Sequence, residues 1–565
     1  MKHTGASLLV RLLERQSIRH LPGIPGGAIL PFYDALHAHP TIRHILARHE
    51  QGAGFMAQGM ARVTGRAAAC VATSGPGATN LLTAIADARL DSIPLVALTG
   101  QVPQSLIGTD AFQEVDTYGL TVPITKHNFL VRDVAELPEI VPLSFQLAES
   151  GRPGPVVIDL PKDVQTAALD IDDADLPPPG RAAPPPPCDD ASINELARRL
   201  ARSERPVLYL GGGIITAGAS ALALALARRL DAPVVCTLNA LDAAPAGDPH
   251  CMGMLGMHAT RGVNLMLDEA DLLLAIGARF DDRATGKAAE FCPRATIAHI
   301  DIDRAEIGKI KNTSLGLTGD AADILRRLLA ALAAGAANEK WSMKNEKHPP
   351  AADASAFSII HAPSPIRSAR GNATRRAWLA RAQRLRDAHP LHHPPRAREP
   401  LHPVNLCRAL AAALPADTIV TTDVGQHQMW VAQAWPFRHP RTLLTSGGLG
   451  TMGFGLPAAI GAALAAPGRR VACVSGDGSL LMNLQELAAL ADLGLPVAVL
   501  VFNNAHLGLV RQQQELFFGR RYSASRFDTV PDFAALARAF GLRGHRIGPA
   551  TADPLAEIAA ALAAP

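Results

Sequence analysis

The run Gly476-Asp477-Gly478-Ser479 follows a strand-like apolar stretch, Val471 to Ser475, and opens onto the helical pattern Leu480 to Asp492. A second strand-like stretch, Val497 to Phe502, ends on Asn503-Asn504, so two strand ends meet at one place. Glycines let backbone amides approach phosphate oxygens, and the start of the following helix offers its free N–H groups to an anion. An Asp carboxylate and an Asn amide oxygen are hard donors that suit an octahedral Mg²⁺ bridging those phosphates. The chemistry indicated is that of a magnesium-bound diphosphate. Two ordinary glycine turns are the plain alternative, and a short glycine motif alone would not decide between them. The 27-residue separation of Asp477 and Asn504, one helix and one strand, favours the diphosphate.

Such a site needs parallel strands whose ends converge, and the chain supplies them in three places. From Thr4 to about Leu169, short β-like runs (Ala67 to Ala72, Leu95 to Thr99, Val156 to Leu160) alternate with Ala- and Leu-rich helical stretches, the pattern of a parallel α/β sheet. Pro-rich residues 177 to 187 mark a linker, because proline removes amide donors and fixes φ. A second α/β unit begins with Pro206 to Leu210 and the turn Gly211-Gly212-Gly213 and runs to about Leu332. Between about 337 and 400 the periodicity fails, which reads as a long mobile linker with an Arg-rich helical piece. A third unit fills 402 to 565, with buried-strand candidates Thr418 to Thr422, Val471 to Ser475 and Val497 to Phe502. Domain bounds of 1–175, 190–335 and 401–565 follow, with a linker over 336–400. TSGPGATN at 73–80 faintly echoes TSGGLGTMGFG at 445–455, each between a strand and an Ala-rich helix, so the outer units read as related halves.

Composition narrows the partners. The chain of 565 residues is 48% hydrophobic and carries a net charge of only +3 with charges scattered, which leaves no electrostatic footprint for nucleic acid or an anionic membrane. Small molecules are favoured instead. Seven cysteines at irregular spacings fit neither a disulfide framework nor a zinc site and suit a reducing cytoplasm. Met1 to Arg15 interrupts its leucines with Arg11 and Glu14, which reads as an amphipathic helix rather than a signal peptide, and the Ala-rich runs are too short to span a bilayer.

Text along nearly the whole chain resembles the large catalytic subunit of the acetolactate synthase family, also called acetohydroxyacid synthase, among thiamine diphosphate enzymes. The resemblance is carried by IPGGAILP (24–31), RHEQGAGFMAQGMAR (48–62), SGPGATN (74–80), GTDAFQEVD (108–116), GRPGPVVIDLPKDV (151–164), LGMHA (255–259), GARFDDR (277–283), DVGQHQMW (423–430) and TSGGLGTMGFGLPAAIG (445–461). It implies three doubly wound parallel-sheet domains of the α/β class: pyrimidine-binding, FAD-binding and diphosphate-binding. Implied cofactors are thiamine diphosphate, Mg²⁺ and FAD, the flavin having an architectural rather than a redox role.

By position, Glu50 matches the carboxylate that hydrogen-bonds the pyrimidine N1′ of the cofactor; its plain alternative is a helix-start carboxylate favoured by the dipole. Gly425, Gln426, His427 and Gly476 to Ser479 (with Asp477 and Gly478) match the diphosphate cradle, continued by Leu507, Gly508 and Leu509. Asp477, Asn504 and the backbone carbonyl of His506 match the Mg²⁺ ligands. Gly450 and Met452 match a loop that props the cofactor in a bent form, although Met is more often core filler. Gly27, Gln113 and Lys162 match catalytic positions on the substrate side, with Phe112 an apolar wall. Arg283 matches the cation for the carboxylate of the second 2-oxo acid, where a planar guanidinium binds bidentately; the alternative is a surface pair with Asp281 or Asp282. Arg152, Gly211, Gly212, Thr237, Leu238, Leu255, Gly256, Met257, His258, Gly277, Arg279, Asp281, Arg283, Asp301 and Asp320 match the flavin site.

The resemblance implies an enzyme that decarboxylates pyruvate and ligates the remaining two-carbon unit to a second pyruvate or to 2-oxobutanoate, opening branched-chain amino acid biosynthesis. It also implies a cytoplasmic homodimer or homotetramer with a small regulatory subunit. Departures are visible. His506 stands where relatives have Glu, but the ligand there is a backbone carbonyl. Gln513 replaces a Trp beside the second-substrate pocket, and an aromatic wall discriminates one methylene by only about 1 to 3 kcal/mol, so a pyruvate-tolerant enzyme of the isozyme I type is expected. Residues 338–373 read as an insertion, and Pro565 precedes the family's final strand and tail, which would impair closure over the site. The competing readings are a flavin-dependent pyruvate oxidase and a catalytically weak assembly protein.

Overall fold

The computed structural model describes residues 1–345, 369–391 and 399–563. Its first six-stranded sheet is built from β2 (His20–Gly23), β3 (Arg43–Leu46), β4 (Ala68–Ala72), β5 (Leu95–Gln101), β6 (His127–Leu130) and β7 (Pro155–Pro161). They lie parallel in the order β3-β2-β4-β5-β7-β6. β1 (Lys2–Thr4) and β8 (Ala168–Asp170) form a small antiparallel pair beside it. Every residue of β4, β5 and β7 is buried, as expected of parallel strands covered on both faces. One cover is α1 (Gly5–Arg15), capped by Thr4, whose hydroxyl accepts from the amide of Ser7. It buries Leu8, Leu9, Leu12 and Leu13 in the core.

The second sheet is also six-stranded and parallel: β9 (Pro206–Leu210), β10 (Val234–Cys236), β11 (Cys251–Met254), β12 (Leu272–Ile276), β13 (Thr296–Asp301) and β14 (Leu315–Thr318), in the order β11-β10-β9-β12-β13-β14. The third holds β15 (Ile419–Thr422), β16 (Leu443–Leu444), β17 (Val471–Gly476) and β18 (Val497–Phe502), parallel in the order β16-β15-β17-β18. Three doubly wound α/β sheets are thus present.

Two compact units result. One joins residues 1–184, 394–435 and 441–565, so it holds the first and third sheets; the other holds 185–393 and 436–440. Within the first unit, α2 (Glu50–Thr64) packs along α4 (Gly455–Ala465), while α3 (Pro76–Asp91) packs on α2. Glycine makes the close crossing possible: a Cβ on Gly59 would stand 2.2 Å from the carbonyl oxygen of Ala458, and one on Gly461 would stand 1.9 Å from that of Met56.

The expected mobile linker over 336–400 lies partly outside the described residues, as does most of the expected insertion. Its described part differs from that expectation. Helix Ala369–Ala388 places Trp378, Ala382 and Leu385 in the second unit's core. The fully buried Arg375 beside them donates to the carbonyls of Ala201 at 3.0 Å, Ser203 at 2.8 Å and Leu200, at the end of helix Asp190–Arg202. The lack of apolar periodicity reflects a helix that spends its few large apolar residues on one narrow contact.

Candidate cofactor and substrate site

Parallel pairing brings the C-terminal ends of β15, β17 and β18 together, and with them residues 423–427, 476–479 and 503–508. Asp477 is 2% exposed, yet among the described residues its carboxylate meets only backbone amides: Gly478 N–H at 2.9 Å and Ala505 N–H at 2.6 Å. A carboxylate held by amides at a strand end beside an amide oxygen can take a hard cation. The Asn504 amide oxygen accepts from the amide of His506 at 3.0 Å, while its NH₂ reaches Gln426 at 3.5 Å, and Gln426 donates to Gln512 at 2.8 Å. Carboxylate, amide oxygen and main-chain carbonyl are the hard donor set that Mg²⁺ takes. Among the described residues, no three His, Cys, Asp or Glu side chains converge as a metal cluster.

His427 is buried between two glycines. A Cβ on Gly425 or Gly476 would come within 2.8 Å of its ring, so only glycine admits it. Burial pushes this imidazole down to about 4, and its Nε2 has no hydrogen-bond partner. A neutral, buried ring with an idle nitrogen beside a helix start fits a phosphate oxygen. Ser479 donates instead to the carbonyl of Val424 at 2.7 Å, tying the two turns together.

Asp423, which the motif reading passed over, organises this edge. Its buried carboxylate accepts from the amides of Val424 at 3.0 Å and Gly453 at 2.7 Å and from the Ser475 hydroxyl at 3.2 Å, and burial pushes it up to about 6. Gly453 follows Met452, so the carboxylate fixes one end of the Gly450–Met452 loop. An Asp closing the β-branched strand Ile419 to Thr422 was the available signal.

On the first sheet, Glu50 is the first residue of α2, and the imidazole of the preceding His49 accepts from the amide of Gln51. The Glu50 carboxylate accepts from Asn80 at 2.9 Å, within the SGPGATN text. Glu486, at the head of α5 (Glu486–Leu493), reaches over from the third sheet and accepts from the amides of Arg48 at 2.9 Å and His49 at 3.0 Å. It therefore clamps the start of the helix that carries Glu50. The chain separation of more than 430 residues hid this pairing from the sequence.

Gly27 and Lys162 gather at the C-terminal edge of the same sheet. Gln165 links them by donating to the carbonyls of Ala28 and Leu160, both at 2.8 Å. No atom lies within 4 Å of where a Cβ on Gly27 would stand, and Lys162 is exposed at the head of helix Lys162–Thr166. Gln113 takes a left-handed φ of 60°, its backbone lying 2.8 Å from where a Cβ on Gly75 would stand. Phe112 is 87% exposed, so it walls nothing within this chain. Gln513 is exposed on helix Gly508–Phe517.

In the second unit the strand order reverses between β9 and β12, the place where open α/β sheets bind ligands beyond their strand ends. Gly211, Gly212 and Gly277 sit there. The amide of Gly213 donates to the carbonyl of Gly277 at 3.1 Å, and a Cβ on Gly211 would stand 2.1 Å from that oxygen. Thr237 and Leu238 follow β10, Leu255 to His258 follow β11, Arg279 follows β12 and Asp301 ends β13. Gly256, at φ 93°, approaches Arg283, whose carbonyl accepts from the amide of Met257 at 2.9 Å. Burial and the Arg283 charge push His258 down. Asp281 caps helix Asp282–Thr285, accepting from the amides of Arg283 and Ala284, and Asp320 accepts from the amide of Asp323 at 2.8 Å. Arg283 is 60% exposed and only 3.9 Å from Asp282, a pairing worth little in solvent. Arg152 belongs to the first unit, where it donates to Ser92 at 2.9 Å.

Glycine-lined turns with a buried Asp and His at the ends of one sheet, a clamped helix-head carboxylate on another and a switch-point crevice on a third form the layout of a cofactor-dependent α/β enzyme. Family models agree. Residues 3–120 match the thiamine pyrophosphate enzyme N-terminal TPP binding domain, 193–328 the central domain and 423–565 the C-terminal TPP binding domain. Over 541 residues the chain is 51% identical to the acetolactate synthase isozyme 1 large subunit of Escherichia coli K12, covering 96% of this chain and 89% of that one. It is 44% identical over 545 residues to the isozyme 2 large subunit of the same organism, covering 96% and 90%. With the acetolactate synthase large subunit of Corynebacterium glutamicum the identity is 43% over 551 residues, covering 96% and 82%. The chain belongs to the acetolactate synthase large-subunit family of thiamine pyrophosphate-dependent enzymes.

Proposed function

We propose that this chain is the catalytic subunit that decarboxylates pyruvate and joins the remaining two-carbon unit to a second pyruvate or to 2-oxobutanoate. The observation that carries this reading is the meeting of buried Asp477, Asn504 and His427 at adjoining strand ends, with two amides on the carboxylate and His427 Nε2 without a hydrogen-bond partner, a donor set that fits Mg²⁺ and diphosphate. Thiamine diphosphate, when bound, supplies the electron sink for decarboxylation and ligation. Asp477, Asn504 and the carbonyl of His506 would hold Mg²⁺, and His427 with Gly476 to Ser479 would hold the diphosphate. Glu50 would hold a proton against the pyrimidine N1′. Gly27 leaves room for substrate, Gln113 and Lys162 line its side, and Arg283 would bind the second carboxylate.

Glu50 accepts from Asn80 of its own domain, while Gln426 and Ser479 bond to Gln512 and Val424 of theirs. Phe112, matched to an apolar wall, is 87% exposed within this chain. This supports a homodimer whose second copy completes each site, with the flavin in the second unit and a small regulatory subunit as further partner. All seven cysteines are buried and free, which suits the cytoplasm. No described helix is long and apolar enough to cross a membrane.

Gln513 in place of an aromatic wall supports tolerance of pyruvate as second substrate. The test supplies purified chain with pyruvate, Mg²⁺, thiamine diphosphate and FAD. Acetolactate formation is expected, with little preference for 2-oxobutanoate in a mixed assay. Oxygen-dependent peroxide without acetolactate would replace this reading with a pyruvate oxidase.

A further inference from the structure

The loop from Thr445 to Phe454, which joins β16 to α4 and carries Gly450 and Met452, is held from outside its own domain. Two carboxylates on α3 do this. Asp87 accepts from the Thr451 hydroxyl at 3.1 Å and from the Ser446 hydroxyl, and the same Ser446 oxygen accepts from the amide of Thr451 at 2.8 Å. Asp91 accepts from the amides of Gly447 at 2.9 Å and Gly448 at 2.8 Å. Arg62 of α2 stands between them, 2.8 Å from Asp91 and 3.6 Å from Asp87, with its guanidinium 5.1 Å over the Phe454 ring. Both carboxylate side chains are 0% exposed and Arg62 only 9%.

The arrangement is directional. The acids grip the ascending limb (446–448) and Thr451, Asp423 grips Gly453, and the crest Leu449-Gly450 between the grips is exposed. Met452 lies between two fixed points, Thr451 and Gly453. A thioether has no strong hydrogen bond of its own with which to set its position.

We propose that Asp87 and Asp91, oriented by Arg62, are positioning residues that fix the 446–452 loop and thereby present Met452 to the thiamine diphosphate. The inference rests on the proposed cofactor site and adds to it a clamp from the pyrimidine-side domain onto the diphosphate-side loop. Burial and the neighbouring Asp91 push the Asp87 carboxyl up, and once ionised it binds its hydroxyl donors through charge-assisted hydrogen bonds.

The test follows the loop directly. Amide hydrogen exchange across 446–452 is compared in parent, Asp87→Asn, Asp91→Asn and the loop-side variants Ser446→Ala and Thr451→Val, all without cofactor. The same proteins are then titrated with thiamine diphosphate and Mg²⁺ by calorimetry. Exchange should accelerate about tenfold or more and cofactor affinity should fall about tenfold, since hydrogen bonds to charged groups carry that much. If an Asp variant fails to fold, the two hydroxyl variants read the same clamp, Thr451→Val by removing a donor to Asp87 alone and Ser446→Ala by removing a donor to Asp87 and the acceptor of the Thr451 amide. Unchanged exchange overturns the clamp. Faster exchange with unchanged cofactor affinity overturns the positioning role. Inactivity of the parent would overturn the proposed function while leaving the exchange result standing.

Discussion

At the scale of single residues, the groups legible in the sequence were those whose chemistry demands a fixed type next to a glycine. Asp477 and Asn504 stood out by motif and spacing and His427 by the family resemblance; the structure sets all three at neighbouring strand ends, where the buried His427 Nε2 has no hydrogen-bond partner. Residues that act by reaching across the fold were not legible. Glu486 is one, since nothing local links it to Arg48 and His49. Burial pushes its carboxyl up to about 7 from the ordinary 4.5. Between those values the folded chain keeps a proton that the unfolded chain releases, so this contribution to stability is full below about pH 4.5 and is lost as pH rises to about 7. Glu486→Gln, which still accepts both amides but never ionises, should flatten that part of the stability profile by at most about 3 kcal/mol. Chemical denaturation across this pH range reads it; an unchanged profile would show that Glu486 does not carry the titration.

At the scale of elements, strands were read closely because fully buried parallel strands are continuous apolar runs. Pro206–Leu210 and Val497–Phe502 match their expected bounds, and Val471–Gly476 runs one residue further than expected. The faint echo of 73–80 in 445–455 corresponds to two strand-to-helix turns; the second is held by Asp87 and Asp91, at the far end of the helix that the first one opens. Packing of α2 on α4 was illegible, because a glycine in an Ala-rich helix looks like a weak position rather than a contact. Yet the approach of Gly461 to Met56 leaves no room for a methyl. Gly461→Ala should therefore cost about 1 to 3 kcal/mol by forcing the helices apart. Because α2 presents Glu50, the same change should lower activity more than a surface Gly247→Ala control, where a methyl meets open space. Paired thermal melts and initial rates would show it, and equal behaviour of the two variants would remove the helix contact from the account.

At the scale of the whole molecule, three parallel sheets were expected and three are present among the described residues, but the first and third belong to one compact unit. Sequence order cannot show this, since the halves lie at opposite ends of the chain. The second unit also recruits helix Ala369–Ala388 from the stretch read as a linker, with Trp378 donating its indole N–H to the carbonyl of Pro206 at 3.0 Å. Trp378→Ala should open a cavity costing about 3 to 5 kcal/mol. The loss should appear as a lowered transition of the second unit in calorimetry, together with weaker retention of flavin absorbance. A melt identical to the parent's would mean that this helix is not part of the second core.

The central claim is that Glu50 and the Asp477–Asn504 cradle are two halves of one thiamine diphosphate site for 2-oxo acid ligation. The most direct measurement is acetolactate formation from pyruvate by the parent and by Glu50→Ala under saturating thiamine diphosphate, Mg²⁺ and FAD. The parent should be active and the variant should lose roughly a hundredfold or more of the rate, the scale of a lost general acid–base group, with cofactor still bound through the intact cradle. Equal acetolactate formation by the two proteins would contradict it.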